Sequence, residues 1–461
     1  MAVITIVGGS LDPIGLHHIE LIKAAAVGSD RTVVLPCGMR PDKLTVNDIN
    51  PAHRAAMIDL TLRQLDIPGL EIDFSDLEQY SFTPTIELDR RYRAQGHQVR
   101  HAIGSDLVSQ IRNWTDGEEL WQEAYFVIYP RQGYEPQDLP RRYTWLQGAG
   151  KSAGSSTEIR RLVYNHEPFD HLVDPRVAEY IRTHRLYTGQ VPRQARPMQY
   201  EKAPKLLVVP DLMNQSATDA ARLLQHRHGA RTETDADMIL VLGGDGTMLR
   251  AIHQHWQLRI PFFGINFGFI GFLMNDIKAK IGSDEFFKDL VMYYCPMLHV
   301  TAKFSNGETR SSLAFNDAWV ERERGGGAHV EVLVDGQSLG DLYGDGVLIT
   351  SAAGSTGYWR ATGEAPFKVG TPDIGVAPIC LSHPSWNGKR VPDTSVIELR
   401  NADPGPRPRR PLFAYADGKS GTDFGQVTSL TVRSSGVSGV QLILNREYSL
   451  DKKLLKLLMP R

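Results

Sequence analysis

Val3-Ile4-Thr5-Ile6-Val7-Gly8-Gly9-Ser10-Leu11-Asp12-Pro13 opens the chain with five strand-forming residues that break into a glycine pair and a proline. A β-branched apolar run of this length reads as a buried strand. The glycines at its end permit a tight turn and let a phosphate approach the backbone without Cβ obstruction. Residues 16–26 continue as a helix, whose first turn offers unpaired N–H groups and a positive dipole end to an anion. His17 and His18 stand at that helix start, where a protonated imidazole donates to a phosphate oxygen. The turn is neither a GxGxxG fingerprint nor a P-loop with its Gly-Lys-Ser/Thr.

Outward from this turn, strand and helix patterns alternate. Strands are expected at 31–35, 70–74, 99–103 and 125–129, and helices at 51–65, 83–95, 107–111, 117–124, 158–164 and 175–184. Strands separated by helical crossovers imply a parallel sheet covered on both faces. Residues 190–204 hold three prolines, several charges and no periodicity, and read as a linker. Beyond it, strands at 205–210 and 237–242 flank a helix at 216–228. The second strand runs into another glycine turn, Gly243-Gly244-Asp245-Gly246-Thr247. From about residue 299 the texture becomes β-rich, with hairpin turns at Asn306-Gly307 and Asp335-Gly336. Two different glycine turns of this kind point to two consecutive reactions on nucleotides.

The bulk numbers agree with folded α/β domains. A chain of 461 residues with 41% hydrophobic and 23% charged content exceeds one ordinary core. A net charge of −2 argues against nucleic acid or an anionic membrane as partner. Apolar runs are strand-sized, and residues 1–7 carry no basic run, so neither a membrane span nor a signal peptide is expected. Cys37, Cys295 and Cys380 are too few and too scattered for a disulfide framework or a CxxC zinc site, which fits a reducing cytoplasm.

At the first site a second piece is Gly154-Ser155-Ser156-Thr157-Glu158-Ile159-Arg160. Ser155 with Glu158 reads as a capping box, and the further hydroxyls with Arg160 read as a polyphosphate clamp. At the second, Asp245 sits among backbone N–H groups that favour its ionised form, and Thr247 is placed to cap a helix over 248–255. A carboxylate there accepts a proton from an attacking hydroxyl or places a metal–phosphate. Asn316-Asp317, Asp345-Gly346, Gly354-Ser355-Thr356-Gly357-Tyr358 and Asp417-Gly418 follow in order, with side chains suited to ribose hydroxyls and a base.

Residues 1–189 resemble the nicotinate/nicotinamide mononucleotide adenylyltransferases. The likeness rests on Gly8-Gly9-Ser10-Leu11-Asp12-Pro13, Arg40-Pro41-Asp42-Lys43, His53-Arg54-Ala55-Ala56-Met57, Ser81-Phe82-Thr83-Pro84-Thr85, Gly104-Ser105-Asp106 with Trp114, and Ser155 to Arg160. It implies a Rossmann-like sheet and attack of a mononucleotide phosphate on the ATP α-phosphorus, with Mg²⁺ carried by ATP and no tightly bound organic cofactor. By the same resemblance, His18 stabilises the reacting phosphate, while Gly8, Gly9, Ser10, His17, Ser155, Ser156, Thr157 and Arg160 hold ATP. Lys43, Thr83, Thr85, Asp106 and Trp114 would hold the mononucleotide. Where bacterial members read His-x-Gly-His, this chain reads Gly15-Leu16-His17-His18.

Residues 205–461 resemble the NAD kinases, also through Gly264-Ile265-Asn266, Gly271-Phe272-Leu273 and Pro378-Ile379-Cys380. This resemblance implies an α/β lobe over 205–298, a β-rich lobe over 299–445 and a tail over 446–461. It makes Asp245 the catalytic base toward the adenosine-ribose 2′-hydroxyl of NAD. Gly243, Gly244, Gly246, Thr247, Asn316, Asp317, Asp345, Ser355, Thr356 and Tyr358 would bind NAD and ATP, and homo-oligomers are usual. Departures include Asp317 for the customary Glu, Ala352-Ala353 for Pro-Thr, and Trp359, Arg360 and Glu364 beyond the small-residue turn. Two other readings stand beside a bifunctional enzyme: an N-terminal nucleotide sensor regulating the kinase, and a lipid kinase sharing the Gly-Gly-Asp-Gly-Thr turn.

Overall fold

The computed structural model describes residues 1–38, 51–79, 81–131, 133–146, 154–188, 195–198, 200, 203–278, 281, 283–323, 326–402, 410–418 and 421–458. It divides into two compact units, Met1–Pro192 and Arg193–Arg461.

The first unit carries strands β1 (Val3–Gly9), β2 (Arg31–Pro36), β3 (Leu70–Ile72), β4 (Gln98–Gly104), β5 (Tyr125–Tyr129) and β6 (Arg142–Trp145). Its helices are α1 (Leu16–Ala26), α2 (Pro51–Leu62), α3 (Ser75–Glu78), α4 (Thr85–Ala94), α5 (Gly117–Glu123), α6 (Ser156–Tyr164) and α7 (Pro175–His184). The sheet order is β3-β2-β1-β4-β5-β6, and every pairing is parallel. β1 and β4 are therefore neighbours from which the chain winds in opposite directions. A crevice opens beyond the carboxyl ends of strands at such a switch point. The central strands are buried on both faces, as Ile4, Ile6, Val33, Val34 and Phe126 illustrate, which explains their continuous rather than alternating apolar pattern. Two details depart from expectation: β6 is a strand that the sequence pattern does not predict, and the helix expected at 107–111 is a 3₁₀ segment, Ser105–Asn113.

The second unit begins with β7 (Ala195–Met198), β8 (Leu206–Pro210), α8 (Gln215–His228), β9 (Met238–Gly243), α9 (Asp245–His255) and β10 (Phe262–Asn266). Strands follow as β11 (Leu290–Lys303), β12 (Thr309–Ala314), β13 (Asp317–Arg322), β14 (Ala328–Val334), β15 (Gln337–Gly344) and β16 (Gly346–Thr350). After the short helix α10 (Tyr358–Ala361) come β17 (Asp373–Ile379), β18 (Lys389–Pro392), β19 (Ile397–Asn401), β20 (Leu412–Ala416), β21 (Thr422–Val427), β22 (Ser429–Asn445) and the terminal helix α11 (Leu450–Leu458). One sheet runs β15-β14-β19-β22-β10-β9-β8, with β11 on β22, β12 and β7; the other runs β18-β17-β16-β13-β20-β21. A core of Val330, Val332, Val347, Ile349, Val376 and Leu430, among others, fills the space between them.

The boundary expected at 298/299 falls inside a strand. β11 pairs antiparallel with β22 from Leu290 opposite Asn445 to Lys303 opposite Ser429, broken only by a shift between Pro296 and Leu298. A lobe boundary there would leave ladder groups unpaired, so a bulge beside the proline, which has no N–H to offer, bends the strand instead. β22 also pairs parallel with β10, making one sheet of the expected lobes. Within the stretch read as a linker, β7 pairs with β11. The hairpin turn after β14 has Asp335 and Gly336 both at positive φ, 50° and 79°, the arrangement that makes Asp-Gly a hairpin signal.

β16 matters because it delivers Thr350 to the turn at Gly354. A Cβ on Gly346 would land on the Val320 carbonyl oxygen of the adjacent strand. Gly346→Ala is therefore expected to destabilise the second unit by about 1–3 kcal/mol, measured as a lowered urea midpoint with unchanged slope.

Candidate functional sites

At the switch point of the first unit lies a cleft of about 460 Å³, lined by Gly8, Gly9, Thr83, Thr85 and Trp114 together with Cys37, Asp76, His101, Gln110 and Asn113. Its volume suits a nucleotide-sized ligand. Gly8 and Gly9 meet no atom within 4 Å of an added Cβ, so the strand end faces open space. Thr83 is held by Asp76, whose carboxylate accepts from its N–H at 2.7 Å and its hydroxyl at 2.6 Å. Asp106 pairs with Arg131 at 3.3 Å. Lys43 lies outside the described residues.

The loop after β1 is tied from three sides. Arg54, 2% exposed, donates to the carbonyls of Ser10 and Cys37. Arg160 donates to the carbonyl of Asp12 and, at 3.2 Å, to the Thr157 hydroxyl, while the Ser156 hydroxyl donates to the Pro13 carbonyl at 2.9 Å. The Asp12 carboxylate accepts from the Tyr187 hydroxyl at 2.6 Å. The two segments singled out from sequence thus meet, with Ser155 capping α6 by accepting from Glu158 N–H at 3.1 Å. Part of the expected clamp is spent holding the loop: Ser156 and Arg160 bond protein carbonyls. Arg54 stands in the family pattern with no role implied for it; its burial and its bonds to the Ser10 and Cys37 carbonyls give it one.

His18 is not the protonated group expected. Gly15 N–H donates to its Nδ1 at 3.1 Å, so the proton of the neutral ring resides on Nε2 as a single directed donor. Desolvation, followed by the neighbouring His17 and Arg131, holds its pKa well below the ordinary range, although the residue as a whole is half-buried. Desolvation first, then Arg131, lowers His17 to about 4. The Gly15/His17 exchange is reciprocal in space. A Cβ on residue 15 would lie 2.7 Å from His17 Cε1 and 2.8 Å from its Nδ1, so the ring occupies room that only glycine leaves free.

In the second unit Asp245 is the first residue of α9, directly after β9 and Gly244. Its two carboxylate oxygens accept N–H groups from Phe272 at 2.9 Å and Leu273 at 2.8 Å, so they are held by the Gly271 loop and not by the glycine turn. Burial raises its pKa, an effect that these two N–H groups and Lys453 reduce without cancelling. Backbone N–H groups favour its ionised form as expected, but they come from the Gly271 loop and desolvation outweighs them. Thr247 is not a cap either. The helix begins at Asp245 with Gly244 as its cap, and Thr247 is buried inside the first turn with its Cβ and Oγ1 over Gly243. Gly246 is exposed.

Asn316 and Asp317 are held by Asp417, whose carboxylate bonds protein groups in place of the ribose or base expected from sequence. The Asp417 carboxylate, 5% exposed, accepts the backbone N–H groups of Phe315, Asn316 and Asp317 at 2.5, 2.7 and 3.0 Å and the His253 Nε2 at 2.8 Å. His253 lies on α9, so the helix led by Asp245 is bonded through Asp417 to the Asn316 loop. The Oδ1 atoms of Asn316 and Asp317 are buried without a protein partner, acceptors that a ligand hydroxyl or amine satisfies. Asp345 pairs with Arg322 at 2.5 Å. Tyr358 packs edge-on against Trp319, which stacks on Tyr415. Ser355 is fully buried, its hydroxyl shared among Ala352 and Phe367 backbone groups, so it pins the turn and does not present its side chain. Thr356 is half-buried beside it. Of the departures, Trp359 is a core residue bonded to the Ala365 carbonyl, and Glu364 accepts from Gly388 N–H. Among the described residues, no group of three or more His, Cys, Asp or Glu side chains is arranged to hold a metal ion, and no helix is long and apolar enough to cross a membrane.

Together the two units define nucleotide-handling transferase domains of the α/β class. A cytidylyltransferase-like family model matches residues 6–162, and the ATP-NAD kinase N-terminal domain matches residues 179–283. The NAD kinase of Rickettsia typhi is 30% identical over 226 residues, 48% of this chain and 85% of that protein. The NAD kinase of Rickettsia bellii matches equally, 30% over 226 residues with the same coverage. Through this half the chain belongs to the NAD kinase family. Among solved structures, yeast NADH kinase complexed with NADH aligns with TM-score 0.48 and 18% identity, covering 57% of this chain and 88% of that one. An Archaeoglobus fulgidus NAD kinase in complex with ATP aligns with TM-score 0.41 and 22% identity, covering 55% and 99%.

Burial beside Asp417, partly offset by the Thr350 hydroxyl, raises the Asp317 carboxyl to about 8. The unfolded chain releases this proton near pH 4. Between those values the folded state binds the extra proton, so this group's stabilisation is full below about pH 4 and lost as pH rises to about 8. Asp317→Asn keeps the uncharged shape and removes the titration. Its stability relative to the parent protein is expected to rise from pH 5 to pH 8, measured by urea unfolding at each pH.

Proposed function

We propose that the chain performs two successive reactions of pyridine-nucleotide synthesis. In the first unit a pyridine mononucleotide phosphate oxygen attacks the α-phosphorus of ATP, forming the dinucleotide and releasing pyrophosphate. The supporting observation is the cleft at the β1/β4 switch point, with open Gly8 and Gly9 on one side and Thr83, Thr85 and Trp114 on the other. His18 would donate its Nε2 proton as a hydrogen bond to the phosphoryl oxygen on which charge grows, and no protein nucleophile is required. Mg²⁺ enters with ATP as part of the substrate. A nicotinamide mononucleotide would yield directly the substrate of the second reaction; a nicotinate mononucleotide would require amidation first.

In the second unit the Asp245 carboxylate would take the proton of the adenosine-ribose 2′-hydroxyl as that oxygen attacks the γ-phosphorus of ATP, with ADP leaving. Burial makes this carboxylate a stronger base than an exposed one. The single observation that carries the reading is the hydrogen-bonded path from α9 through His253 and Asp417 to the buried acceptors of Asn316 and Asp317. Those acceptors suit the hydroxyls and amines of a dinucleotide. The reciprocal packing of Gly15 and His17 supports a second reading, a nucleotide-sensing first unit without chemistry.

Purified protein given ATP, Mg²⁺ and either mononucleotide is expected to form dinucleotide and then NADP, resolved by chromatography. His18→Ala should lower dinucleotide synthesis by about 10²-fold or more while sparing phosphorylation of added NAD; Asp245→Ala should do the reverse. Dinucleotide synthesis absent from the parent protein, with kinase activity altered in His18→Ala, would establish the sensor instead.

A further inference from the structure

The segment after β22 reads in sequence as a tail, yet its side chains return to Asp245. Lys453, on the buried side of α11 and 5% exposed, donates from Nζ to the carbonyl of Gly271 at 2.6 Å and to that of Met274. Those two carbonyls bracket Phe272 and Leu273, the residues whose N–H groups hold the Asp245 oxygens. Gly271 sits at a φ of 63°, a left-handed conformation open to glycine, and Asn266 crowds the place a Cβ would take. Lys456 adds a second tie, pairing at 3.2 Å with Asp276, which accepts from the Asn266 amide at 2.8 Å. The Lys453 ammonium lies 4.9 Å from the Tyr448 ring centre, and the Tyr448 hydroxyl is buried without a protein partner in the field of Asp245.

We propose that α11 is part of the kinase site: Lys453 is a positioning residue that braces the Gly271–Met274 loop, and through that loop it fixes the orientation of Asp245. The inference rests on the reading of Asp245 as the base. Among the described residues, the groups facing Asp245 are the Phe272 and Leu273 N–H groups, Lys453 and Tyr448. Lys453 is the one cation among them, and it favours the carboxylate over the acid. Its ammonium in turn faces Asp276, Asp245 and Lys456. An uncharged residue at 453 leaves Asp245 against desolvation with two N–H groups and no cation, so its pKa rises. A base must be ionised to act; the rate falls as pH drops through that pKa, and the acid limb of the profile therefore moves to higher pH.

The test compares the full-length protein with Lys453→Met and Lys453→Arg. Amide hydrogen exchange of the peptide containing Phe272 and Leu273 reads the brace without reference to catalysis. It should quicken by at least tenfold in Lys453→Met and return toward the parent rate in Lys453→Arg. The pH profile of kcat for NAD phosphorylation reads the charge: its acid limb should shift upward in Lys453→Met and recover in Lys453→Arg, with KM for NAD changed less than kcat. Unchanged exchange of that peptide overturns the brace. A lowered rate with the acid limb in place overturns the influence on Asp245 and leaves Lys453 a stabilising residue. Asp245→Asn separates the two levels: if it still phosphorylates NAD at the parent rate, the base assignment fails, while the exchange result still decides whether Lys453 holds the loop.

Discussion

A carboxylate shielded from water must be answered by donors, and Asp417 is answered four times. Three consecutive backbone N–H groups, from Phe315 to Asp317, converge on it, and the His253 imidazole supplies the fourth contact. Removing any donor strands part of a buried charge, and removing Asp417 strands three N–H groups at once. Each such loss costs about 1–3 kcal/mol. The position of the Asn316 loop relative to α9, and hence to Asp245, follows from this one carboxylate. The sheets of the second unit bring β13, β16 and β20 side by side; Asp417 converts that adjacency into a fixed local geometry.

The first unit solves a similar problem with cations. A glycine turn that leaves space for phosphate is free to take many shapes. Arg54 and Arg160 take the carbonyls of Ser10 and Asp12, and Tyr187 takes the Asp12 carboxylate. Shape is thereby imposed on the loop from outside it. The same logic applies at Gly271, whose loop grips Asp245 from one side and is gripped by Lys453 from the other. In both units a glycine-bearing turn is held by residues from distant parts of the chain.

The departures from family pattern take on physical meaning in this light. His17 and Gly15 are a packed pair, so a side chain at 15 and the ring as it stands at 17 exclude each other. Trp359 occupies the core beside Phe367, with its ring over Gly375, where a Cβ would lie 2.6 Å away. Asp317, one methylene shorter than the customary Glu, lies buried beside Asp417 and holds its proton to about pH 8.

Local pattern in the chain was enough for most strands and helices of the first unit, for both glycine turns and for the Asp335-Gly336 hairpin, because each depends on neighbours within a few residues. The apolar runs at β1 and β9 needed no partner to be read as strands, and Asp245 was legible because it sits where a strand ends and a helix begins. What remained out of reach depends on contacts between distant residues. The continuity of β11 and β22 across the expected lobe boundary is a matter of pairing register. The neutral state of His18 and the raised pKa of Asp245 are matters of desolvation, which burial alone creates. The partners of Asp417, His253, Arg54 and Lys453 have no local signature, because they lie from 17 to 182 residues away. The sequence by itself determined which groups are able to do chemistry; the tertiary structure decided which of them are free to do it, since the Ser355 hydroxyl is directed to protein carbonyls and the Arg160 guanidinium to the Asp12 carbonyl and the Thr157 hydroxyl once the chain has folded.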